Sequence, residues 1–119
     1  MMKRLIVQLY EIQEPREAEG LIELGVDILD PLQVTATNMD PQMLKDRFGR
    51  RLCLHGSIET QYLLPKGTPA EVAATVRKMC ATLGQEGGFI LAPCHVLQVD
   101  VPTANILALY DTGYECGRY

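Results

Sequence analysis

The feature that most constrains this chain is a recurrence. Four short apolar runs, at residues 4–10, 26–31, 51–56 and 88–93, are each followed by a segment with helical spacing. The runs are nearly continuous rather than alternating; only the second is interrupted, by Asp27 and Asp30. Continuous runs of about four to eight residues mark strands buried on both faces, the habit of parallel sheets flanked by helices.

The segments between the runs carry helix signals. Over residues 14–24, Ala18, Leu21, Ile22 and Leu24 recur at helical spacing, and Gly25 supplies a stop where a left-handed backbone is cheap. Asp40-Pro41 predicts an N-cap with proline at the first helical position, opening a short helix that ends near Phe48-Gly49. Thr68-Pro69-Ala70-Glu71 is a capping box in which hydroxyl and carboxylate each satisfy an amide of the first turn. Behind it Val72, Val76, Met79, Cys80 and Leu83 form one apolar face, ended by Gly84 and Gly87-Gly88. A last helix is expected from Pro102 through Ile106, Leu107 and Tyr110 to about 112–113.

Strand and helix in alternation give an α/β fold with a parallel sheet and right-handed crossovers. The two longer connections, 33–39 and 57–67, follow strand C-termini, the edge where such sheets place ligands. No linker or low-complexity stretch divides the 119 residues, so one domain over 1–119 is expected. A net charge of −4 argues against nucleic acid and anionic membranes as partners, since both select basic surfaces. No apolar run approaches the roughly 20 residues of a membrane span. Met1-Met2-Lys3-Arg4 is followed by too short an apolar stretch for a secretory signal. Cys53, Cys80, Cys94 and Cys116 are irregularly spaced with no C-x-x-C, so reduced thiols in a cytoplasm are expected.

Several blocks resemble the uroporphyrinogen decarboxylase family. They are Gly25-Val26-Asp27-Ile28-Leu29-Asp30-Pro31-Leu32-Gln33, Asn38-Met39-Asp40-Pro41 with Arg47-Phe48-Gly49, and His55-Gly56-Ser57-Ile58-Glu59-Thr60-Gln61. Further along come Leu64-Pro65-Lys66-Gly67-Thr68-Pro69, Gly87-Gly88-Phe89-Ile90-Leu91-Ala92-Pro93-Cys94-His95-Val96-Leu97-Gln98, Val101-Pro102 and Asn105-Ile106. The resemblance implies part of a (β/α)8 barrel, in a superfamily of uroporphyrinogen decarboxylases, cobalamin-dependent methyltransferases and demethylase components. It covers the family's C-terminal strand–helix units. A whole barrel needs about 250 residues, so the expectation is a four-unit half-barrel. Such a half exposes two sheet edges and one apolar face, which a second copy can cover; a homodimer closing eight strands is therefore expected.

The resemblance also implies site residues. His95 follows the last strand, in a loop where the family carries a pocket histidine or, in zinc methyltransferases, a cysteine ligand. A histidine there can donate a proton near neutral pH. Asp30 and Gln33 follow the second strand, His55 ends the third, and Glu59 and Gln61 follow it; carboxylates at neighbouring strand ends can share a proton or receive a cationic N–H. Tyr10 and Tyr62 are candidates for the mouth. Cys53 and His55, two apart on one strand, share a side, and with Cys94 and His95 they make an alternative zinc cluster. The His-x-Cys of the zinc enzymes falls at Gln8-Leu9-Tyr10, which has neither ligand. Asp100 and Asn105 are read as caps of the last helix. The expected activity is cofactor-free decarboxylation of a tetrapyrrole, although the family's N-terminal arginine and aspartate groups have no counterpart here. The alternatives are methyl transfer with a corrinoid held by a partner, and a non-catalytic tetrapyrrole- or corrinoid-binding subunit.

Overall fold

A computed structural model describes residues 6–8, 15–35 and 39–118. Four strands form one sheet: β1 (Ile6–Gln8), β2 (Ile28–Leu32), β3 (Cys53–Ile58) and β4 (Phe89–Pro93). All neighbouring pairs are parallel and the order is β1-β2-β3-β4. The helices between and after them are α1 (Pro15–Glu23), α2 (Pro41–Phe48), α3 (Leu63–Lys66), α4 (Pro69–Leu83) and α5 (Thr103–Cys116). Each crossover advances one strand in the same direction. With right-handed connections, that order puts the helices on one face of the sheet; a doubly wound fold would reverse direction partway.

The core follows from that layering. Leu29, Leu54 and Phe89 lie in register across β2, β3 and β4. All three join one apolar cluster with Ala18 and Leu21 of α1, Leu44 and Phe48 of α2, Val72, Val76 and Leu83 of α4, and Leu109 of α5. The alternate residues point the other way. Among them His55 is partly exposed and Ile90, its register partner, is 42% exposed, so that face of the sheet is not covered by the described helices.

The local signals correspond to local structure. The Asp40 carboxylate accepts from the Met43 amide at 3.0 Å. Thr68 Oγ1 accepts from the Glu71 amide, and Glu71 returns the bond to the Thr68 amide at 2.7 Å. Gly25 ends α1 with φ +85, a conformation that a side chain would oppose.

Several boundaries differ from expectation, and one helix is additional. β2 begins at Ile28 rather than 26, and Asp27 precedes it, its carbonyl held by the Cys53 amide. β3 continues to Ile58, because Gly56 and Ser57 stay paired with Leu91 and Ala92. α5 runs to Cys116, past the expected stop at 112–113. Gly113 is a packing glycine, not a terminator: a Cβ there would lie 2.5 Å from Leu91 Cδ2 on β4. The short α3 was not expected at all. Of the first apolar run, the strand Ile6–Gln8 is described; Tyr10 lies outside the described residues.

Candidate functional site

Pairing of Leu29 with Leu54 brings the next residues, Asp30 and His55, side by side on the uncovered face. Their side chains meet, with His55 Nδ1 2.8 Å from Asp30 Oδ1. Both are withdrawn from solvent without being sealed, at 29% and 19% side-chain exposure for His55 and Asp30. A carboxylate on Nδ1 fixes the orientation of the imidazole. That leaves Nε2 to give or take a proton. The sequence names both residues but not their pairing; the expectation for Asp30 is a proton shared with another carboxylate or a cationic N–H received.

Glu59 is buried and its carboxylate is engaged by backbone. It accepts from the amides of Gln61, Tyr62 and Leu63, the last at 2.7 Å. Those amides open α3, so Glu59 organises the turn after β3. Gln61 is exposed beside it. His95 is also exposed, and with Thr60, Gln61 and Asp100 it borders a shallow depression of about 380 Å³. Gln33 is buried; its Nε2 donates to Thr35 Oγ1 at 2.7 Å. Asn105, expected as a cap, instead donates through Nδ2 to the carbonyls of Leu64 and Gly67, both at 2.8 Å. It ties α5 to the turn of α3.

The alternative Cys/His cluster does not gather. Cys53 pairs with Ile28 at the start of β3, whereas the Cys94 amide bonds the carbonyl of Ile58 at its end. At about 3.3 Å per residue, that register places the two cysteines on the order of 15 Å apart along the sheet. Cys94 is buried with Sγ 3.2 Å from the Leu32 carbonyl oxygen, while His95 beside it faces solvent. Among the described residues, no three His, Cys, Asp or Glu side chains converge as a metal group would require. No described helix is long and apolar enough to cross a membrane.

Sequence reasoning missed Ser57. It has φ +82, a left-handed backbone at a residue that is not glycine. It is 1% exposed, and its hydroxyl has no hydrogen-bond partner among the described residues. Gly56 beside it also has a positive φ, +122.

A one-directional parallel βα array with a polar pair on its open face is a partial βα-repeat fold. The chain belongs to the uroporphyrinogen decarboxylase family, whose model matches residues 19–116, from α1 to the end of α5. Comparison with curated proteins gave no match.

Proposed function

We propose that the chain is a four-unit half-barrel that decarboxylates a tetrapyrrole or a related acid, with a second copy completing the eight strands. The observation that carries this reading is the Asp30–His55 hydrogen bond on the uncovered sheet face. Loss of carbon dioxide breaks a C–C bond and leaves its electron pair on the substrate, delocalised into the ring. The carbon that carried the carboxylate must then gain a proton. Protonated His55 donates from Nε2, and Asp30 steadies the imidazolium before transfer and the ring orientation afterwards. Gln33 and Gln61 line the approach, with Glu59 shaping its wall and His95 as a second donor at the rim. The chemistry calls for no metal or organic cofactor.

The test is turnover of uroporphyrinogen followed by product mass. His55→Gln is expected to lower the rate by about 10²-fold or more, the usual weight of a positioned acid. Asp30→Asn is expected to lower it less and to change the pH profile, because the imidazole keeps a partner but loses the charge behind it. Turnover that is indifferent to His55→Gln would overturn this mechanism. Absence of turnover with retained porphyrin binding would favour the non-catalytic subunit.

A further inference from the structure

Cys80 on α4 and Cys116 at the end of α5 have no part in the site described above. Both are free thiols and both are half-buried. A hydrogen bond joins their side chains. Both also line one cavity of about 830 Å³ at the start of β4. Exposed Arg77 and Arg118 border the same cavity, so it opens to solvent. A small molecule entering it meets both cysteines.

Packing holds the pair in place. The two cysteines lie against the apolar core, one from each helix. Close by, Arg77 of α4 and Glu115 of α5 form an ion pair at 3.8 Å across the same helix junction. Gly113 sets α5 tightly on β4, since a Cβ there would lie 2.5 Å from Leu91 Cδ2. The other two cysteines do not border the cavity: Cys94 is buried with its sulfur on the Leu32 carbonyl, and Cys53 stands at the start of β3. Two contacting thiols that share access to a cavity are arranged for thiol–disulfide exchange, in which one sulfur captures the reagent and its neighbour resolves it.

We propose that Cys80 and Cys116 form a dithiol modification site that a low-molecular-weight disulfide oxidises, joining α4 to α5 through a Cys80–Cys116 bond. Cys116, as thiolate, attacks one sulfur of the small disulfide; a mixed disulfide forms and one small thiol leaves. Cys80 then gives its proton to solvent, and its sulfur displaces the second small thiol. The protein loses two electrons and two protons, and the small disulfide becomes two thiols. Burial makes Cys80 hold its proton tightly, which leaves the first attack to Cys116. The pair sits between the helices, apart from Asp30 and His55 on the uncovered face, and its test reads no turnover, so this inference and the decarboxylase reading fail separately.

The test equilibrates the full chain with oxidised and reduced glutathione at fixed ratios, in native buffer and in urea, and maps the linked peptides by mass. The Cys80–Cys116 link is expected to be favoured at least about tenfold more in the folded chain, because the fold holds in contact two thiols that the unfolded chain rarely brings together. Cys80→Ala, its folding checked by melting temperature, is expected to stop at a mixed disulfide on Cys116. A link no more favoured in native buffer than in urea would overturn the site. So would mixed disulfides that persist on both cysteines of the parent, or a Cys80→Ala chain that captures no glutathione at Cys116.

Discussion

At the scale of single residues, three buried or half-buried polar side chains divide the work. Asp30 and His55 make the one carboxylate–imidazole pair among the described residues, and the sequence points to both residues but not to their pairing. Their meeting depends on the register of two strands separated by an entire helix, which no local spacing encodes. Glu59 was legible as a residue but not as a task. Its carboxylate replaces the missing partners of three amides, so a four-residue helix forms without any apolar periodicity to announce it. Truncation should be costly for that reason. Glu59→Ala is expected to destabilise the fold by about 2 kcal/mol, since charge-assisted bonds to buried amides are lost without replacement. Chemical denaturation would measure it, and a loss below a few tenths would show that water replaces the carboxylate freely.

At the scale of elements, the caps were the most legible signals because they are local. Proline after aspartate or threonine, with glutamate three residues into α4, states a helix start within four residues. Thr68→Ala is expected to cost about 1 kcal/mol of stability through loss of the cap. The end of α5 was read short because a glycine more often stops a helix than packs one. Gly113 lets α5 lie against Leu91, a long-range contact that its neighbours in sequence do not advertise. Asn105 makes the same point, since its amide reaches back across about forty residues to Leu64 and Gly67. Asn105→Ala is expected to cost about 2–3 kcal/mol, because two carbonyls lose their donor in a buried place. The melting temperature should fall accordingly.

The contact of α4 with α5 also carries a pH signature. Burial pushes the Cys80 thiol up from its ordinary 9.0 to about 12, and a hydrogen bond with Cys116 adds to the rise. The thiol therefore stays protonated at neutral pH and should alkylate slowly. The sign for stability follows. The folded chain holds this proton more tightly than the unfolded chain, so the contribution is whole below pH 9.0 and declines between 9.0 and about 12. Melting temperature measured across that window should fall more steeply in the parent than in Cys80→Ala.

At the scale of the whole molecule, the order β1-β2-β3-β4 leaves strand edges at β1 and β4 and one sheet face without described helices. The alternation of apolar run and helix made a parallel α/β sheet legible, because each unit is a local signal repeated. What lies on the open face is settled by pairing and closure, which act between distant parts of the chain or between chains. Two copies related by a two-fold axis would set β4 of each beside β1 of the other, making two identical junctions and no remaining edge.

The most direct measurement is the molar mass in solution by light scattering behind size-exclusion chromatography, over a range of concentrations. The account predicts a dimer near twice 13.2 kDa that persists on dilution. A soluble monomer at every concentration would contradict closure by a second copy.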